Sequence, residues 1–136
     1  MQRLSRSLED VLEAIHELEA QTPLGYARVK DIAARLKVKP STVTIALRRL
    51  KKMGLVHYER YRGVKLTTKG RRHARRLVRT HQLLAEFFEK VLGLDSEEAD
   101  ENACRVEHVL SQQAIERLAA FLDEYLRSQK PNQAPN

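Results

Sequence analysis

The stretch VKDIAARLKVKPSTVTIALRRLKKMGL, residues 29 to 55, most constrains the fold. Ile32, Ala33 and Leu36 recur at helical spacing and predict a short helix with those residues inward. A break follows at KVKPS, and Pro40 or Ser41 opens another helix, in which Val43, Leu47 and Leu50 form the buried stripe and Gly54 supplies the stop. Thr42, Thr44, Arg48 and Arg49 then fall elsewhere on the wheel. Two short helices joined by a turn, the second polar and basic outside, have the layout of a helix-turn-helix.

The next segment, LVHYERYRGVKLT, alternates apolar and polar residues around a turn at Tyr61 to Gly63. It predicts a two-stranded hairpin rich in Arg and Lys, the wing of a winged helix-turn-helix. On that layout Ser41, Thr42, Thr44 and Ile45 face a major groove of double-stranded DNA, and Arg48, Lys51, Arg60, Arg62 and Lys65 are placed to neutralise phosphates. Lys39 and Arg49 belong to the same DNA-binding set. The alternative is a solvated basic face with no ligand.

Charge supports the first reading because it is divided along the chain. Residues 1 to 76 hold 19 Lys and Arg against 7 Asp and Glu, whereas residues 77 to 136 hold 6 against 11. A basic half joined to an acidic half suggests that only the first meets a polyanion. With 136 residues the chain suits one compact domain, or a small domain with a helical extension. No apolar run approaches a membrane span, no secretory leader is expected, and the single cysteine fits a cytoplasmic protein without an internal disulfide.

The flanks are helical. Leu8, Val11, Leu12, Ile15 and Leu18 define a first amphipathic helix from residue 5 to about 20, with Asp10 and Glu13 opposite the apolar stripe. After the hairpin, Thr67 or Thr68 caps a long helix with Leu77, His81, Leu84 and Phe88 on one line, where His81 by itself reads as a core histidine. Asp95 and Glu98 form a capping-box pattern before a helix in which Ala99, Ala103, Val106 and Leu110 turn inward. Cys104, Glu107 and His108 share the adjoining arc; spacing leaves open whether they are metal ligands or ordinary packing. Ser111 starts a last helix with Ile115, Leu118, Leu122 and Tyr125 on one side. His16, His57 and His73 read as surface or DNA-proximal residues, and the tail from residue 128 to 136 reads as disordered.

LSRSLEDVLEAIHELE, VKDIAARLKVKPSTVTIALRRL, GLVHYERYRGVKLTTKG, RTHQLLAEF and ACRVEHVLS occur in the order and spacing of the diphtheria toxin repressor (DtxR) family. The resemblance covers residues 5 to about 122. It implies a mainly α chain: a winged helix-turn-helix DNA-binding domain over residues 1 to 72, then a helical metal-binding and dimerisation domain over residues 73 to 127. The chain ends where longer members continue into a β-barrel, so it resembles the short branch typified by manganese transport regulators. On the matching motifs, the implied metal ligands are Asp10, Glu13, His81, Cys104, Glu107 and His108. Iron-responsive members carry Met at the position of Asp10, and the harder carboxylate suits Mn²⁺. Two positions lack a carboxylate found elsewhere in the family: Cys104, where the best-known manganese regulator has Glu, and Ala85, where many members have Glu.

The resemblance implies a homodimeric repressor of metal-uptake genes, binding a palindromic operator with Mn²⁺ as corepressor. Fe²⁺ is the alternative metal, with Zn²⁺ or Co²⁺ able to substitute in vitro, and no organic substrate is expected. Two other classes remain: a metal-independent winged-helix regulator, and a metalloenzyme using Glu107 and His108. The second lacks an H-E-x-x-H or phosphate-loop motif, so the expectation is that the chain is not an enzyme.

Overall fold

Helix starts and stops follow the capping chemistry of the sequence, which the computed structural model describes over residues 4–22 and 25–129. The first helix, α1 (Arg6–Glu19), begins at Ser5, whose hydroxyl accepts the Leu8 N–H at 3.3 Å. The short α2 (Val29–Leu36) ends on Lys37 in the left-handed conformation, φ 57°. That sharp reversal lets α3 (Pro40–Lys52) start with Pro40 in the first turn, where its missing N–H costs nothing. Gly54, at φ +76°, ends α3 while the Leu55 N–H reaches back to the Leu50 carbonyl.

The wing follows as β1 (Val56–Glu59) and β2 (Gly63–Leu66), antiparallel, with Val56 opposite Leu66 and Glu59 opposite Gly63. Ala27 adds a bridge to Val64 on the other edge, through hydrogen bonds of 2.7 and 2.8 Å. This approach requires glycine at 63, since φ is +114° and a Cβ would sit 2.5 Å from the Ala27 carbonyl oxygen.

Thr67 caps the long α4 (Thr68–Lys90), accepting the Gly70 N–H at 3.0 Å and donating its own hydroxyl to the Gly54 carbonyl at 2.7 Å. Asp95 likewise caps α5 (Ser96–Val106), accepting the Glu98 N–H at 2.8 Å. Ser111 accepts the Ala114 N–H at the start of α6 (Gln112–Gln129). The expected tail lies outside the described residues except for Ser128 and Gln129, which belong to α6.

The chain divides into two units, Met1–Val78 and Arg79–Asn136; this division and the expected boundary after residue 72 both fall inside α4. The first unit has one continuous core. Leu12, Ile15, Ile32, Val43, Leu47, Leu50 and Val64 are wholly buried there, and each such side chain contributes about 1.5–3 kcal/mol relative to exposure. The second unit buries Leu84, Ala99, Ala103 and Leu122 but leaves Phe121 half exposed, its ring stacked on Tyr125 and set edge-on to Phe87. A helical unit with so much apolar surface uncovered is suited to pairing with another copy.

Glycine at 70 is required by the contact between α4 and the residue preceding the wing. A Cβ there would lie 1.9 Å from the Leu55 carbonyl oxygen, which also accepts the Thr67 N–H. Gly70→Ala is therefore expected to destabilise the first unit by about 2 kcal/mol or more, against the small gain Ala brings in an unobstructed helix. A thermal melt with an unchanged or raised midpoint would contradict this.

Candidate nucleic-acid interface and metal centre

The face of α3 that its buried stripe leaves outward presents Ser41, Thr42, Ile45, Arg48 and Arg49 to solvent. Ile45 is 59% exposed, an unusual position for a β-branched aliphatic side chain. Thr44 is half-buried and its hydroxyl donates to the Pro40 carbonyl at 3.1 Å, so it is less available to a base edge than its neighbours. Lys39 is exposed at the N-cap of the same helix. Lys51, expected as a phosphate contact, also has a structural role: its ammonium donates to the Tyr58 carbonyl at 3.3 Å, strapping α3 to β1.

In the wing, Arg60, Tyr61 and Arg62 are exposed and Lys65 is half-buried. Arg62 and Lys65 both lie over the ring of Tyr26, at 5.5 and 5.6 Å from its centroid. Sequence reasoning missed Tyr26, because nothing in its local pattern announces that it holds two cations of the wing. It also missed the partner of His73, which is half-buried with Nε2 2.8 Å from the Glu9 carboxylate of α1.

Asp10 and Glu13 lie one turn apart on α1, and both are half-buried rather than solvated. Asp10 lines a cleft of about 250 Å³ whose opposite wall is α3, through Thr42, Ile45 and Arg49. One wall thus carries an expected metal ligand and the other carries expected DNA-facing residues.

The second unit brings His81 and Glu107 together. His81 Nδ1 is 3.2 Å from Glu107 Oε1, while its Nε2 is 2.6 Å from Asp100 Oδ1. Both ring nitrogens can donate only when the imidazole is doubly protonated. Burial works against that charge, but the Asp100 hydrogen bond and the Glu107 charge outweigh it, so the His81 pKa is raised. Asp100 was not expected at the site. No local signal singles it out among the acidic residues of α5.

Cys104, Glu107 and His108 do not lie together on one helix, as their spacing suggested. The helix α5 stops at Val106, Glu107 is its C-cap, and His108 lies in the turn beyond. The Glu107 and His108 side chains are 1% and 2% exposed, whereas Cys104 is exposed. Burial pushes the Glu107 pKa up, against the opposing influence of His81, His108 and a hydrogen bond with Cys104. Its Oε2 is buried with no hydrogen-bond partner among the described residues. A buried carboxylate oxygen left without a donor, surrounded by imidazole, thiol and carboxylate groups, suits a divalent cation.

A winged helix-turn-helix followed by a helical unit with such a donor set defines a DNA-binding regulator that responds to metal. The family model described as "Iron dependent repressor, N-terminal DNA binding domain" matches residues 3–64. A second, "Iron dependent repressor, metal binding and dimerisation domain", matches residues 67–136. The chain belongs to this iron-dependent repressor family, whose members are transcriptional regulators and not enzymes.

It is similar to the HTH-type transcriptional regulator MntR of Lysinibacillus sphaericus, with 44% identity over 113 residues, 83% of this chain and 79% of that one. MntR of Bacillus subtilis is 42% identical over 119 residues, 88% of this chain and 82% of its own length. The solved structure of the manganese regulator SloR matches with a TM-score of 0.73 at 32% identity, over 85% of this chain and 53% of SloR. The chain therefore spans about half the length of that solved regulator. Among the described residues no helix is long and apolar enough to cross a membrane.

The raised pKa values give a signed pH dependence. His81 stabilises the fold fully below its unfolded pKa, near 6.5, and that contribution is lost as pH rises through the higher folded value. Glu107, raised above 4.5, has the same sign, since the ionised form is disfavoured on folding. In chelator, His81→Gln should therefore cost more stability at about pH 6 than at about pH 8, read by urea unfolding. A cost that grows with pH would mean that the ring is neutral in the folded protein.

Proposed function

We propose that this protein is a cytoplasmic, homodimeric repressor of metal-uptake genes, binding a palindromic operator when loaded with Mn²⁺. The observation that carries the metal reading is Glu107, whose buried Oε2 lacks a partner beside His81. In this reading Asp10 and Glu13 of the first unit, with His81, Cys104, Glu107 and His108 of the second, hold the ion. A divalent cation there supplies positive charge that offsets the carboxylates.

The residues of the chain do the rest. His81 gives up a proton on binding and keeps a carboxylate on its other nitrogen, which fixes the ring. Asp10, sharing a cleft with Thr42, Ile45 and Arg49, couples the ligand set to the recognition helix. Ser41, Thr42 and Ile45 read bases, while Arg48, Arg49, Arg60, Arg62 and Lys65 set affinity through phosphates. The uncovered apolar face around Phe121 supports dimerisation, and a twofold dimer calls for a palindrome with half-sites about 34–36 Å apart or a related spacing.

Asp10 and Glu13 favour Mn²⁺ through hard oxygen, and the MntR names of the relatives agree. Cys104 favours a second reading, an Fe²⁺-responsive repressor, because its thiol sits against Glu107 and softer metals prefer sulfur. Anaerobic anisotropy titrations on promoter DNA, with Mn²⁺, Fe²⁺, Zn²⁺, Co²⁺ or chelator, separate the two. Tight binding is expected only with metal, and equal binding in chelator would defeat the proposal. His108→Ala should bind with the same weak affinity with or without Mn²⁺; a variant that still needs Mn²⁺ would remove His108 from the ligand set. Arg48→Glu should weaken binding to every sequence by about tenfold or more, as loss of a phosphate contact predicts.

A further inference from the structure

Ser41, Ile45, Arg48 and Lys52 recur at i, i+4, i+7 and i+11, so they form one exposed stripe along α3. Lys52, at its end, enters a cleft of about 530 Å³. Lys69, Arg72, His73 and Arg76 of α4 line the same cleft over an apolar floor that includes Leu4, Met53 and Leu55. Lys69, Arg72 and Arg76 sit at i, i+3 and i+7, a second basic stripe that continues the first.

These cations are not balanced from within. Among the described residues no carboxylate pairs with Lys52, Arg72 or Arg76, whereas Arg71, on the neighbouring face of α4, is held by Glu19. The first turn of α4 holds no acidic residue that could balance them. A face that carries three such cations can accept anionic charge from outside.

We propose that Arg72 and Arg76 of α4, with Lys52, form a phosphate-contacting ridge that extends the DNA interface beyond the recognition helix and wing. The inference rests on the DNA-binding reading above. Continuity with the α3 stripe selects duplex DNA as the occupant over an acidic protein surface.

The test is anisotropy binding of the full chain, with Mn²⁺ present throughout, to a mixed-sequence duplex of about 40 base pairs over a salt series, since phosphate contacts do not depend on sequence. Arg72→Gln with Arg76→Gln should make the log–log salt slope shallower by about 1.8 per bound subunit, about 0.9 for each lost contact. Replacing both with Lys should restore the slope. An unchanged slope in the glutamine variant overturns the proposal, whatever happens to the affinity itself. If sedimentation then shows a changed oligomeric state, the ridge belongs to a second copy of the chain. Failure of the unmodified protein to bind promoter DNA with any of the four metals present would instead overturn the proposed function.

Discussion

The carboxylate of Glu19 holds the first unit in register. It lies at the last turn of α1, is 9% exposed at its side chain, and accepts from the Leu66 N–H at 3.1 Å and from Arg71 at 3.0 and 3.2 Å. One group thereby joins the first helix to the wing strand and to the start of α4. With little of the carboxylate exposed to water, loss of these donors would leave it poorly solvated, so it favours the arrangement that supplies them. The position of the wing therefore depends on an ionic interaction as well as on the hydrophobic core. Elsewhere in the same unit, Gly70 allows α4 to approach Leu55 and Gly63 allows β2 to meet Ala27.

The two units distribute their chemistry differently. The first has a continuous apolar core and places its polar chemistry on exposed faces of α3, the wing and α4. The second buries little apolar area, yet its Glu107 and His108 side chains are almost wholly buried. Its chemistry is therefore sensitive to whatever meets the Glu107 carboxylate, and Phe121 stays half exposed.

Local pattern made much of this legible. The stripe Val43, Leu47, Leu50 identified the buried side of α3, and Thr67, Asp95 and Ser111 signalled three helix starts by capping chemistry alone. What stayed hidden were pairings between residues far apart in sequence. Glu9 and His73 are 64 positions apart, and His81 and Asp100 are 19 apart. Periodicity reports which face of a helix is buried and says nothing of which side chain comes to meet it. The same limit concealed Tyr26 beneath Arg62 and Lys65, and the end of α5 one residue before Glu107. The ligand set itself was suggested by family resemblance, since spacing places Asp10 and Glu13 only opposite the apolar stripe of the first helix.

If α3 is the recognition helix proposed above, Ile45 has a further consequence for how it would meet DNA. A β-branched side chain on a helix has essentially one χ1 rotamer, so the exposed methyl groups of Ile45 are already fixed before any contact forms. Covering them sacrifices little rotational entropy, unlike the immobilisation of Arg48 beside it. They also match the one apolar feature of a major groove, the thymine C5-methyl, which uracil lacks. Recognition at this position would then be a matter of shape fitted in advance, with the flexible cations closing around it afterwards.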